Sequence, residues 1–266
     1  MKTLTIAYLY REELNLYGDT GNVEILVYRA EKRGFKVKVL DIGVGDKVPS
    51  TAPDIVFMGG GPDSGQKDMY EDLVKSKKKF LKDFIEGGGV GLFICGSYQL
   101  LGNYYKASDG SVLKGLGIFD LYTEHPGEKS ERFKRLIGNT VATLPENLLQ
   151  DPAFLENNFI GNTLVGFENH GGRTFLADKS LAFAEIKKGN GNNGKDKTEG
   201  FMYKNAIGTY FHGPILSRNP HLADYLIAKS LGLKGLGKLG DTLLEGALPD
   251  DALVEKAHKF SLKLKP

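Results

Sequence analysis

One cysteine, no tryptophan and almost no excess of charge, 35 Lys and Arg against 33 Asp and Glu, are the scarcities of this 266-residue chain. A lone cysteine closes no internal disulfide and builds no cage of thiolates for zinc, so no oxidising compartment is implied. A net charge of +2, with both signs interspersed, offers no concentrated basic face for nucleic acid. Long apolar runs are also missing: no segment nears the roughly 18 uninterrupted apolar residues that cross a bilayer. Met1 to Tyr10 lacks the basic start and small-residue cleavage site of a leader. The chain therefore reads as cytoplasmic. What is present, 41% hydrophobic and 26% charged residues, supplies a full core and excludes a disordered or collagen-like chain. The basic run Lys75 to Lys79 with Lys82 is read as a solvated helix face, a docking surface being the sharper alternative.

Thr3 to Tyr10 (TLTIAYLY), Asp54 to Met58 (DIVFM) and Val90 to Ile94 (VGLFI) are short, nearly continuous apolar runs, the pattern of strands covered on both faces. Phe35 to Ile42 adds another. Between them, helical spacing at Val23, Leu26, Val27 and Ala30 stops at Gly34, and a helix predicted over about Tyr70 to Glu86 runs into Gly87-Gly88-Gly89. Strands alternating with helices predict an α/β fold with a doubly wound, mostly parallel sheet, whose ligands bind outside the carboxyl ends of the strands. Gly59 to Gly61 and Cys95 both fall on that edge. After residue 115 the pattern turns to short strands: Gly117 to Thr123, Gly138 to Leu144, Thr163 to Phe167, Thr174 to Leu176, Leu181 to Ile186, Gly200 to Tyr203 and Ile207 to Phe211. These are expected to extend or decorate the first sheet. Gly189 to Gly194 (GNGNNG) is expected to be the most flexible loop. Pro220 to Ser230 reads as a helix, giving one domain over 1–232 and a peripheral tail over 233–266, helical from Asp250 to Leu264.

Cys95 follows an apolar strand and precedes Gly96 and a short helix, which predicts a tight strand-to-helix turn of the nucleophile-elbow kind, open to solvent. An unperturbed thiol is only a few per cent thiolate at neutral pH, and a helix N-terminus favours the anion further. A buried structural thiol is the alternative. A nucleophile that expels an amine also needs a general base and acid, for which imidazole is the usual group. His212 ends an apolar strand before Gly213-Pro214, and His170 sits in a glycine-bounded turn after Glu168-Asn169; local sequence leaves both open. His125 and His258 have no companion motif, and His221 falls in a predicted surface helix. Gly59 to Gly61 lack the lysine and hydroxyl of a phosphate loop. The amides of Gly60, Gly61 and Gly96 are candidates for an oxyanion hole, in which one donor is worth roughly 3 to 4 kcal/mol in the transition state.

Ile94 to Gly102 (ICGSYQLLG) resembles the nucleophile motif of class I, triad-type glutamine amidotransferases, in particular the cobyric-acid-synthase-like CobB/CobQ branch. Asn15 to Asn22 (NLYGDTGN), Gly166 to Thr174 (GFENHGGRT) and Gly208 to Leu216 (GTYFHGPIL) narrow the likeness to the glutaminase subunits of lipid II isoglutaminyl synthases, over about residues 4 to 230. The resemblance implies a flavodoxin-like sheet, Cys95 as nucleophile and His212 as the catalytic histidine, with His170 in a structural turn. It implies that Gln99 helps hold the substrate and that Arg135 binds the glutamine carboxylate, a task suited to the guanidinium fork, with Arg132 as the alternative register. Asp19 matches a family position without an assigned role; an N-cap or turn aspartate fits it equally.

Two positions depart from the pattern. Ser97 stands where many members have glycine, a change expected to leave the turn intact, and Pro214 stands where typical class I enzymes carry the glutamate two residues after the histidine. No acid of this chain obviously completes a triad. The resemblance therefore implies a heterodimer in which a MurT-like Mur-ligase partner supplies the orienting carboxylate. The chain itself is expected to use no metal and no cofactor, ATP and Mg2+ serving the partner. Other readings are an amidotransferase subunit feeding a different synthetase, a non-catalytic scaffold, and a cysteine hydrolase of the same fold.

Overall fold

A computed structural model describes residues 2–61, 69–127, 135–155, 160–232, 248 and 250–266. The first alternation forms where the apolar runs predict it: β1 (Thr3–Leu9), α1 (Thr20–Lys32), β2 (Lys36–Ile42), β3 (Ile55–Met58), α2 (Lys78–Glu86), β4 (Val90–Ile94) and α3 (Gly96–Leu101). Every residue of β3 and β4 is buried, as strands covered on both faces must be. The second half supplies β5 (Tyr104–Lys106), β6 (Val112–Lys114), β7 (Leu121–Glu124), β8 (Leu136–Thr143), β9 (Thr163–His170), β10 (Arg173–Leu176) and β11 (Ala184–Lys188). It then adds β12 (Thr198–Glu199), β13 (Phe201–Tyr203) and β14 (Ala206–Thr209).

Six strands form the main sheet in the order β13-β14-β4-β3-β1-β2, parallel except for β13 at its edge. The parallel part has the strand order of flavodoxin-type sheets. Its register pairs Leu9 with Met58, Met58 with Phe93 and Thr209 with Ile94, so the strands end level. Tyr10, Gly59, Cys95 and the Tyr210–His212 segment consequently emerge side by side. The other later strands do not extend this sheet. They form two four-stranded sheets, β10-β7-β5-β6 and β12-β11-β8-β9, that decorate it.

Three local expectations change in three dimensions. Lys77 is fully buried, its ammonium paired with Asp72 at 2.7 Å and donating to the Asp46 carbonyl at 2.6 Å, whereas its neighbours Lys75 and Lys79 stay exposed as predicted. A single π-type turn over Leu73–Lys77 rotates that one lysine inward. The GNGNNG stretch is tied down by its own amides. Asn190 and Gly191 donate to the Glu168 carboxylate and Asn192 donates to the Gly200 carbonyl, which buries Asn192 completely. Finally, α4 (Pro220–Ser230) is apolar around most of its circumference and is buried rather than superficial, carrying His221 inside with it.

The tail is helical over α5 (Asp251–Ser261), and its bond to the domain runs through charge. Arg29 on α1 reaches Asp224 on α4 and Asp251 on α5, both at 2.6 Å, with Arg33 joining Asp224 at 2.7 Å, and all four side chains are buried. Past the helix, Lys188 donates to the Leu262 and Leu264 carbonyls and Asn139 to that of Lys265. Most of the residues between α4 and α5 lie outside the described set. Among the described residues no helix is long and apolar enough to cross a membrane.

Candidate active site

Cys95 occupies the turn between β4 and α3 with φ 50° and ψ −104°, a conformation that L-residues rarely adopt. Such strain costs on the order of 1 to 3 kcal/mol and persists where the surroundings over-determine it. Here they do. The Cys95 amide donates to the Thr209 carbonyl at 2.8 Å, and the Ser97 hydroxyl, fully buried, donates to the Met58 and Ile94 carbonyls at 3.0 Å each. Ser97 thus braces the turn from beneath. The cysteine is buried, at 7% exposed, which corrects the expectation of a thiol open to solvent: Gly60 and His212 pack over the turn.

His212 comes to the same place from β14, its backbone fixed by exchange with Phe167 on β9. Gly60 stands between the two. A Cβ built there would lie 2.9 Å from His212 Cε1, 3.0 Å from Cys95 Cβ and 3.2 Å from Asp19 Oδ2, so only glycine lets the three side chains converge. Asp19 is fully buried and places Oδ1 3.3 Å from His212 Nδ1, while its Oδ2 accepts the Gly60 amide at 2.7 Å. An acid of this chain therefore does reach the ring. The expectation that none does is corrected, because 193 residues of sequence separate two groups that the sheet brings together.

The whole N-terminal motif mates with the histidine motif. The Tyr17 ring packs edge-on against His212 at 4.8 Å, Gly21 leaves room for the Pro214 ring, and Asn22 accepts the Leu216 amide at 3.1 Å. A Cβ on Gly21 would meet Pro214 Cγ at 2.5 Å. Proline in place of the usual glutamate thus becomes a packing surface for α1.

Burial alone disfavours a charged His212, but the hydrogen bond it donates to Asp19, the Cys95 side chain and the charges of both outweigh it, and the pKa is pushed up to about 10. His170 shows the opposite. Burial dominates and holds it near 3, its Nδ1 paired with the Gly172 carbonyl at 2.8 Å and its ring stacked 3.6 Å from that of Tyr210. Of the two histidines left open by local sequence, His212 is the one beside Cys95.

The chain matches the CobB/CobQ-like glutamine amidotransferase domain over residues 5–220. It is 43% identical over 236 residues to the lipid II isoglutaminyl synthase (glutamine-hydrolyzing) subunit GatD of Staphylococcus aureus, covering 89% of this chain and 88% of that one. To the same-named subunit of Streptococcus pneumoniae it is 40% identical over 231 residues, covering 87% and 82%. The chain belongs to the CobB/CobQ-like glutamine amidotransferase family. Two solved structures from Thermotoga maritima share the fold. One is PurLQS, with TM-score 0.56 and 15% identity over 87% of this chain and 99% of that one. The other is a glutamine amidotransferase, with TM-score 0.52 and 16% identity over 98% and 96%.

In this amidotransferase the remaining expected residues separate. The Gly60 amide is spent on Asp19 and is not a free oxyanion donor, a correction that follows from the buried carboxylate behind it. Gly61 lies against Leu14 and the Glu13 carbonyl rather than against Cys95. Gly96 follows Cys95 as the first residue of α3, where helix amides lack intrahelical partners. Gln99 is buried, its side-chain amide donating to the Tyr210 hydroxyl at 2.9 Å. Arg135 is exposed and forks onto Asn169, through Nε to Oδ1 at 2.8 Å and through Nη2 to the carbonyl at 2.9 Å, while Asn169 donates to the Tyr17 hydroxyl at 2.5 Å. Arg132 lies outside the described residues. Among the described residues no group of three His, Cys, Asp or Glu is placed to hold a metal ion. A cleft of about 670 Å3 opens beside this edge, between the Arg11–Asn15 and Asp41–Asp46 segments, but Cys95 does not line it.

Proposed function

We propose that this chain is the glutamine-hydrolysing subunit of a lipid II isoglutaminyl synthase. Cys95 Sγ attacks the side-chain amide carbon of L-glutamine, and the thiol proton, held on His212, passes to the departing ammonia as the C–N bond breaks. A ring with a pKa of about 10 enters this step already protonated at neutral pH. The neutral imidazole then takes a proton from water, which attacks the γ-glutamyl thioester; the C–S bond breaks, glutamate leaves and the proton returns to the Cys95–His212 pair. The Gly96 amide is the oxyanion donor. Arg135 pairs with the substrate α-carboxylate and exchanges Asn169 for it, and Gln99 borders the same pocket.

The ammonia passes to a MurT-like ligase that uses ATP and Mg2+ to activate the α-carboxyl of D-glutamate in the lipid II stem peptide, giving D-isoglutamine on the cytoplasmic side. Ammonia released into water is protonated and lost, so the partner covers the Cys95 edge. The observation that carries the reading is the meeting of a strained Cys95 with His212 across Gly60, in a chain kin to two GatD subunits. Glutamate release from glutamine, with and without a MurT-like ligase, tests it. Cys95→Ala is expected to abolish release in both settings, and full turnover in that variant removes the assigned nucleophile.

A further inference from the structure

We infer that the C-terminal helix α5 is a membrane-surface element, which seats this chain on a bilayer leaflet carrying anionic headgroups. The inference is independent of the glutaminase reading, and α5 lies beyond residues 5–220, over which the family domain matches. A helix on the surface of a globular protein ordinarily turns its apolar stripe to the core and its polar side to water. α5 is mounted the other way. Its buried residues are Asp251, His258 and Ser261. Asp251 pairs with Arg29 at 2.6 Å, His258 bonds through its two ring nitrogens to the Thr163 hydroxyl and the Arg218 carbonyl at 2.8 Å each, and the Ser261 hydroxyl donates to the Ala257 carbonyl. The bonds to the domain fix the rotation of the helix and leave Leu253, Ala257 and Phe260, which share one face by their spacing, turned to solvent. Leu253 is 69% exposed and Phe260 64%, the two most exposed large hydrophobic side chains among the described residues. Past the helix Pro266 packs against Gly138 on β8, whose neighbour Ile137 adds a third exposed apolar side chain at that end.

The charges beside this strip identify its occupant. Lys256 and Lys259 run along one flank, Lys263 and Lys265 follow in the turn beyond, and all four are exposed. The acids of the same segment are spent: Asp250 accepts the Tyr28 hydroxyl, Asp251 holds Arg29 and Glu255 pairs with Lys259. Lys256, Lys263 and Lys265 keep no acidic partner among the described residues, so the strip presents apolar side chains beside unneutralised positive charge. A protein partner fits this poorly, because lysine is depleted from protein interfaces. A second copy packed antiparallel across a two-fold axis sets the same lysine row against itself. An anionic leaflet takes both features: Leu253 and Phe260 enter the boundary between headgroups and acyl chains, while the lysine stems lie along it and their ammoniums stay among the phosphates.

The test is co-sedimentation of the full chain with vesicles of phosphatidylglycerol mixed with phosphatidylcholine, and with vesicles of phosphatidylcholine alone. Binding to the anionic vesicles, falling as salt is raised, is expected, with none to phosphatidylcholine. Leu253→Ser combined with Phe260→Ser is expected to weaken it roughly tenfold or more, and Lys256→Gln or Lys263→Gln about fivefold each. These side chains face solvent, so the variants keep the fold, and their glutamate release without vesicles is expected to match the wild type. Absence of binding to the anionic vesicles, or undiminished binding by the double variant, overturns the inference. So does a concentration-dependent dimer in light scattering that the double variant dissolves, which assigns the strip to a second copy, or assembly with a MurT-like ligase that fails in the double variant, which assigns it to the ligase. The glutaminase reading fails separately, through turnover that survives in Cys95→Ala.

Discussion

Two buried ionic clusters lie on the same α1 helix and its approach, and they are built to opposite ends. Around Arg29 every charge is matched at short range: Asp224 and Asp251 each stand 2.6 Å from the guanidinium, and Arg33 closes on Asp224. Around His212 the pairing is looser, 3.3 Å to Asp19, and the second ring nitrogen has no hydrogen-bond partner among the described residues. The first cluster saturates its donors and acceptors and so fixes the place of a helix. The second leaves one proton site unspent beside a strained cysteine. Buried charge marks chemistry here only where something is left unmatched. The histidines repeat the contrast, because burial holds His170 and His221 near 3 while two neighbours hold His212 near 10.

That contrast breaks first at His212. His212→Ala is expected to cut glutamine hydrolysis by roughly 10³-fold or more, measured as initial rates of glutamate release. Arg29→Met should act on stability instead, because it strands the buried Asp251 carboxylate and costs about 3 to 5 kcal/mol by denaturant titration, with kcat of the folded protein unchanged. A large kcat loss in that variant would show that the two clusters are coupled. Gly60→Ala sharpens the site side. A methyl 2.9 Å from His212 Cε1 displaces the ring, and a misplacement of about 1 Å is expected to cost on the order of 10²-fold in turnover.

The smallest effect is on pH. His212 has a folded pKa raised above its ordinary 6.5, so its contribution to stability is complete below about 6.5 and is lost as pH rises towards about 10. His170 and His221, held near 3, act in reverse, since below about 6.5 the unfolded chain binds protons that the folded one refuses. Thermal midpoints should therefore fall on both sides of pH 6 to 7, and His212→Gln should flatten the alkaline side alone. An unchanged alkaline fall would mean that the folded ring is not charged.

Much of this architecture was legible in the residues. The runs TLTIAYLY, DIVFM and VGLFI have no polar face to turn to water, so they belong inside a parallel sheet, and the glycines after them mark its carboxyl edge. Cys95 was legible because a strand, a small residue and a helix in that order force a tight turn. Asp19 was not. Its signal, an aspartate between Gly18 and Thr20, is that of any turn, and its meaning lies in a histidine 193 residues away. The Gly60 amide misled for the same reason, since sequence shows a bare donor but not the carboxylate behind it. Lys77 and the GNGNNG loop were misjudged because composition counts polar atoms without their partners. Local polarity predicted solvent, whereas Asp72 and Glu168 satisfy those groups inside.

The central claim, that Cys95 is the sulfur that glutamine meets, is tested most directly by treating the chain with a glutamine-mimicking diazo ketone and mapping the adduct by peptide mass spectrometry. The expected result is one covalent adduct on Cys95, slowed by added L-glutamine and absent in Cys95→Ser. An unmodified Cys95 in a chain that still hydrolyses glutamine would contradict the account.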